Sequence, residues 1–416
     1  MIGPARPVEV EMDAPDTAQR EYADQFRARV EADPDIKIYG PPDREFLCRP
    51  NQLLVAVEER DRVARLLADL QPGQPAPPKD DPERWAQFER NSGTAVLAWS
   101  ARGDGADVPA VLERLRQAAR EAGEPPPAVL PHLVFTGTGN VMGHPARPPV
   151  AARRPPPPPA GARSGAVTVG VCDTGIWKEA AVEHLDWLGA FVQDPDDLDD
   201  LLVPGGVQLD LQAGHGTFVA GVLRQAAPGA TFDPSRALSP LGVGDLVSVV
   251  GALFRLTPDA AVVNLSLGCY TEDDRAPAPL ARALSRLGRD VVVVAAAGNH
   301  GENRPTWPAG FKRVVAVAAV QDEGQQLRPA PFSNWGPWVD ACAVGLRTST
   351  YVKGTSFSGD VFDGWAAWEG TSFAAPHVAG VIADDVRPGE GNNAWAAARR
   401  LLDQDPWHPD YGVLVR

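Results

Sequence analysis

The sequence predicts an α/β protein, a parallel sheet with helices on both faces, preceded by a small ferredoxin-like α+β domain. Three observations carry this prediction. Residues 165–416 alternate near-continuous apolar runs with helical patterns, as strands buried on both faces do. Residues 46–140 show a shorter β-α-(β)-β-α-β pattern. Between them, residues 141–164 are proline-rich and basic, and the run Pro155–Pro159 favours extended polyproline without a packed core. The chain therefore divides into a polar segment 1–45, the small domain 46–140, the linker 141–164 and a large domain 165–416. At roughly 100–200 residues per domain, 416 residues accommodate this division.

Within the first 45 residues a helix is expected around Ala18–Ala32, with no readable function. In the small domain, Gln52–Val57 is a short apolar strand. Glu59–Leu70 places Val63, Leu66, Leu67 and Leu70 on one helical face. A weak strand or loop is expected at about 84–92, then a strand at Ala95–Ser100. Val108–Ala122 is a second helix and Leu133–Thr136 a closing strand. In the large domain, Ala166–Cys172, Ala261–Leu267, Val291–Ala296 and Val314–Val320 read as buried parallel strands. His215–Ala226, Asp245–Leu256 and Pro279–Leu287 read as the helices between them.

Charge narrows the function. Lys+Arg number 39 and Asp+Glu 54, a net charge of −15, which disfavours a nucleic-acid partner that must neutralise phosphates. No run of about 18 apolar residues is present, so no membrane partner is expected. The four cysteines, Cys48, Cys172, Cys269 and Cys342, form no CxxC pair and read as reduced, buried thiols. With no signal-peptide pattern at the N-terminus, the expected location is cytoplasmic. Asp194, Asp196, Asp197, Asp199 and Asp200 cluster in one loop. Calcium favours several carboxylate oxygens, but the spacing fits no calcium-loop signature. The cluster is read as a solvated acidic face, no metal ligand is assigned, and no cofactor is required.

Three segments carry chemistry. Val171-Cys172-Asp173-Thr174-Gly175 ends an apolar strand, placing Asp173 at the carboxyl edge of the sheet. Gly214-His215-Gly216-Thr217 opens one helix, and Gly370-Thr371-Ser372-Phe373-Ala374-Ala375-Pro376-His377 opens another. A carboxylate, a histidine and a serine at element ends are the parts of an acyl-transfer site. Alone, each also reads as an ordinary cap or turn residue.

Together with VVAAAGNHG, and in the order Asp, His, Asn, Ser, these segments resemble the subtilisin-like serine proteases across 165–416. Asn264–Gly268, Trp307-Pro308-Ala309 and Phe332–Gly336 extend the resemblance. It implies that Ser372 is the nucleophile, His215 the base, Asp173 its orienting carboxylate and Asn299 the oxyanion donor. By the same resemblance, Ser266, Leu267 and Gly268 form one edge for an extended peptide, and Gly242 and Gly244 lie on the opposing edge. Ala297 and Gly298 would wall the main specificity pocket, their small size suggesting room for a large apolar side chain. Cys269, where the family often has glycine, bears on that pocket's shape. The segment Val352–Trp365 is an insertion, either a surface loop or a rim that selects substrate or meets the N-terminal domain.

The order of domains is similar to family members that carry a propeptide. This implies an N-terminal domain, acting in cis, that assists folding and inhibits by laying its tail, Thr136–His144, in the cleft, with Met142 before a cut. The expected substrate is a peptide or protein. Alternatives are a dedicated maturation protease with a permanent recognition domain, a silent peptide-binding module, or a peptide-joining enzyme.

Overall fold

The computed structural model describes residues 17–70, 73–76, 82–101, 107–137, 146–158, 167–191, 193–324, 326–387 and 393–416. The N-terminal part begins with helix α1 (Thr17–Ala32) and strands β1 (Lys37–Tyr39) and β2 (Phe46–Ala56). There follow α2 (Arg60–Leu70), β3 (Gly73–Ala76), α3 (Pro82–Ser92), β4 (Thr94–Ala101), α4 (Val108–Glu121) and β5 (Val129–Thr136). The strands make an antiparallel sheet in the order β3-β4-β2-β5, with β1 on β2. Residues 84–92 are helical, not the strand or loop expected. Proline stands at the first helical position, and Trp85, Phe88 and Ser92 recur at helical spacing rather than alternating.

The short strand β6 (Val150–Ala151) precedes the large sheet. That sheet contains β7 (Thr168–Asp173), then β8 (Thr231–Arg236) after the short helices α5 (Ala180–Glu183) and α6 (Leu185–Leu188) and the longer α7 (His215–Ala226). Next come β9 (Val243–Asp245), α8 (Leu246–Arg255), β10 (Ala260–Leu265), α9 (Ala278–Arg286), β11 (Val292–Ala296), β12 (Val314–Asp322) and β13 (Leu327–Pro329). The chain ends with β14 (Ala341–Val344), β15 (Leu346–Thr355), β16 (Val361–Glu369), α10 (Thr371–Asp384), α11 (Trp395–Leu402) and β17 (Val413–Leu414). The order β8-β7-β10-β11-β12-β14-β17 is parallel throughout, with β13 added antiparallel to β12.

Side-chain alternation splits the core across this sheet. Val169, Val171, Val262, Val292 and Val294 pack with Phe218, Val219, Phe373 and Val378 of α7 and α10. Cys172, Val263, Leu265, Val293 and Ala295 face Leu246, Val250, Leu253, Leu280 and Leu284 of α8 and α9. This second layer is continuous with Leu53, Val55, Phe88, Leu112, Leu133 and Phe135 of the N-terminal part. The two parts thus share one apolar interface.

The insertion forms a hairpin, β15 with β16, and β6 adds to its edge. Phe362 is buried and Trp365 packs edge-on to Trp187 at 5.0 Å, while Phe357 at the tip is exposed. Among the described residues no helix is long and apolar enough to cross a membrane. All four cysteines are unpaired and buried.

Candidate active site

The carboxyl ends of the parallel strands gather the chemistry, as open α/β sheets do. Asp173 ends β7, His215 opens α7, Asn299 follows β11 and Ser372 is the second residue of α10. His215 Nδ1 lies 2.6 Å from Asp173 Oδ1, and both side chains are buried. The approach of α7 to β7 needs glycine, since a Cβ on Gly216 would sit 2.1 Å from the Gly175 carbonyl oxygen. Trp368 and Phe373 pack against the His215 ring, each at 5.2 Å. Its Nε2 is buried with no hydrogen-bond partner among the described residues.

Ser372 Oγ donates a long 3.4 Å bond to the Ser266 carbonyl, and Ser266 Oγ donates to the Ser372 carbonyl at 2.7 Å. Asn299 Oδ1 accepts from Thr371 N at 2.9 Å and Thr371 Oγ1 at 2.8 Å. With its oxygen so held, the amide's donor end is its nitrogen. Sequence reasoning missed Asp199. Its Oδ2 accepts from Thr174 Oγ1 at 2.7 Å and Gly214 N at 2.8 Å, tying the residue after Asp173 to the residue before His215. Burial raises its pKa to about 6. Hydrogen bonds from Thr174, Leu201 and Gly214 offset part of that rise, and Asp173 adds to it. The acidic cluster is therefore not one solvated face. Asp197 and Asp199 are buried, because each caps backbone and polar donors that the fold brings to it, whereas Asp194, Asp196 and Asp200 are exposed. Among the described residues no group of three or more His, Cys, Asp or Glu is arranged to hold a metal ion.

The two expected peptide edges are occupied by this chain itself. β5 pairs antiparallel with β9, Phe135 opposite Gly244 and Thr136 opposite Val243. Thr136 and Gly268 exchange both backbone hydrogen bonds at 2.8 Å, and Gly137 N donates to the Gly242 carbonyl at 3.0 Å. The end of β5 thus runs as an added strand between Gly242–Gly244 and Gly268. Residues 138–144, including Met142, lie outside the described residues.

The family model described as "Subtilase family" matches residues 164–402. The chain belongs to the subtilase family. Among subtilases, a thermophilic serine proteinase of Bacillus sp. (strain AK1) is 34% identical over 236 residues, 54% of this chain and 53% of that protein. Thermitase of Thermoactinomyces vulgaris is 31% identical over 233 residues, 53% of this chain and 75% of thermitase. The chain spans about half the length of the first of these relatives. Fervidolysin from Fervidobacterium pennivorans, a keratinolytic enzyme related to subtilisin, shares the fold. Its TM-score is 0.55 at 18% identity, over 89% of this chain and 60% of that one.

Not every residue expected at the subtilase cleft lines it with a side chain. Leu267 packs with the α8 and α9 layer, and Ala297 packs with Val320, Cys342 and Tyr411. Nor is the pocket beside Gly298 roomy. Thr306 projects between Gly268 and Gly298, and the cavity there is about 30 Å³. Cys269 is held flat by paired backbone bonds with Trp307, both 2.9 Å.

Two further contacts hold the N-terminal part of this subtilase on its cleft. Along α1, Tyr22, Phe26 and Val30 pack with Val134, Leu211 and Leu241. The Tyr22 hydroxyl donates to the Leu211 carbonyl at 2.9 Å, and Arg29 meets Asp210 at 3.1 and 3.0 Å. The spacing Tyr22, Phe26, Val30 was the legible signal for this contact. At the N-cap of α8, Asp245 faces Arg49 at 3.1 Å, Arg84 at 3.7 Å and His132 at 3.9 Å. Burial pushes the Asp245 carboxyl up, but these groups outweigh it and hold it well below the usual range.

Proposed function

We propose that this subtilase is a serine endopeptidase whose N-terminal layer blocks its own cleft. The observation that carries the reading is the buried 2.6 Å pair of His215 with Asp173, with Ser372 adjoining the Phe373 ring that packs 5.2 Å from His215, and an Asn299 fixed through its oxygen. In the proposed reaction Ser372 Oγ attacks the peptide carbonyl carbon and His215 Nε2 takes the hydroxyl proton. Asp173 holds Nδ1–H of the ring and stabilises the imidazolium. Asn299 Nδ2 and the Ser372 amide receive the oxyanion, which collapses as the amine leaves with the proton from His215. Water then attacks the acyl ester, giving its proton to His215, and the carboxylic acid departs as Ser372 recovers its hydroxyl proton. The 3.4 Å bond to Ser266 must break for Ser372 to turn to His215. Such tightening on substrate binding is common.

The unit 46–140 is assigned the inhibitory and folding-assisting role, 141–164 the tether and 165–416 the peptidase. The strand pairing of Thr136 and Gly137 with both cleft edges supports this, because a substrate has to displace it. The test is intact mass over time for wild type and Ser372→Ala. Loss of an N-terminal fragment from wild type alone supports a self-processing peptidase. Loss from neither, in a chain that is fully active on peptides, contradicts the inhibitory role.

A further inference from the structure

The end of β5 sets a register for the cleft. A peptide that replaces it, bonded as Thr136 is to Gly268 and as Gly137 is to Gly242, advances about 3.3 Å per residue. Its next side chain enters the pocket that Gly137 shares with Gly268, Gly298, Asn299 and Thr306. That pocket is closed from one side. A Cβ on Gly298 would lie 3.0 Å from Thr306 Cγ2, and one on Gly268 would lie 3.5 Å from Thr306 Cβ. The Thr306 hydroxyl donates to the Ala297 carbonyl at 2.7 Å, which fixes the rotamer and leaves the methyl against Gly298. Behind it the floor is also rigid. Asn334 Nδ2 would be 2.7 Å from the same Gly298 Cβ and donates to the Tyr270 hydroxyl at 2.8 Å, and the Arg304 guanidinium lies 4.3 Å from the centre of the Tyr270 ring. A cavity of about 30 Å³ leaves room for roughly one or two water-sized groups.

We propose that Thr306 sets the specificity of this protease, restricting the residue on the acyl side of the cut to Gly, Ala, Ser, Cys or Thr. The inference rests on the peptidase reading above. In the chain's own sequence, the residue that follows Gly137 is Thr138, which belongs to this class.

The experiment uses the full-length chain as wild type, Thr306→Ser and Thr306→Gly, each also with Thr136→Pro. The proline deletes the amide that bonds Gly268, so that a blocked cleft does not hide the answer. Each protein is incubated with a peptide library varied at one position, cuts are mapped by mass spectrometry, and a fluorophosphonate adduct on Ser372 is recorded in parallel. Wild type is expected to cut after small residues at least about 10-fold more than after Leu or Phe. Thr306→Gly should raise cutting after Leu and Phe by about 10- to 100-fold. Thr306→Ser keeps the bond to Ala297 and should give a smaller gain in the same direction. Wild type that cuts equally well after Leu, or a labelled Thr306→Gly with unchanged preference, overturns the proposal. Absence of the adduct from all the proteins overturns the peptidase reading itself, and this inference with it.

Discussion

At the scale of single residues, the site depends on a few short contacts. Asn299 is held by Thr371 through its oxygen, so under the proposed function truncation removes one oxyanion donor. Asn299→Ala is expected to lower kcat about 10²–10³-fold with KM nearly unchanged, measured on a peptide substrate. Asp199 links the loops that carry Asp173 and His215, and its titration gives a pH signature. Its folded pKa, about 6, lies above the ordinary 3.8. The stability it confers is therefore fully present below about 3.8 and is lost as pH rises through about 6, on the order of 3 kcal/mol. Denaturant titrations across that window should show this slope in wild type and its absence in Asp199→Asn. An unchanged slope in the variant would contradict the assignment. Asp173, His215, Asn299 and Ser372 were legible because each stands in a local motif at an element end. Asp199 was not, because its partners Thr174 and Gly214 reach it only through the fold.

At the scale of elements, apolar runs identified the parallel strands β7, β10, β11 and β12, since a strand buried on both faces needs no alternation. The helix α3 was misread because its apolar face is narrow, and its packing against α8 and α9 decides its state. The hairpin β15–β16 was not foreseen, although Ser356–Asp360 carries turn residues with Gly359 at a φ of 91°, because in the sequence the segment reads as a surface loop. α1 docks on segments up to about two hundred residues away; the spacing of Tyr22, Phe26 and Val30 marks its apolar face, and only the fold brings Leu211 and Leu241 to it. Phe26 is fully buried there. Phe26→Ala is expected to cost about 3–5 kcal/mol of local stability and to free α1. Hydrogen exchange should then show loss of protection in 17–32 with α7 and α10 unaffected. Retained protection would contradict the docking.

At the scale of the whole molecule, one charged cluster helps to hold the N-terminal layer on the subtilase domain. Asp245 is buried and faces Arg49 and Arg84 from that layer. Asp245→Asn keeps an acceptor for the α8 cap but removes the charge, leaving two guanidiniums without their anion. The layer should bind less tightly by about 2–5 kcal/mol, read as faster fluorophosphonate labelling of Ser372. Because the carboxyl is held well below 3.8, its contribution is present above that value and lost only as pH falls through the lower folded value. The difference between wild type and variant should therefore stay flat between about pH 5 and 8. A difference that vanishes on acidification to about pH 5 would contradict this.

Under the proposed function, a competent Ser372 lies beneath a strand that the chain lends to its own cleft. The most direct measurement is the rate at which a fluorophosphonate adds to the full-length protein, followed by intact mass for wild type, Thr136→Pro and Ser372→Ala. A single adduct on Ser372 is expected, formed at least about 10-fold faster in Thr136→Pro than in wild type, and none in Ser372→Ala. No adduct in Thr136→Pro, or equal rates with and without the proline, would contradict it.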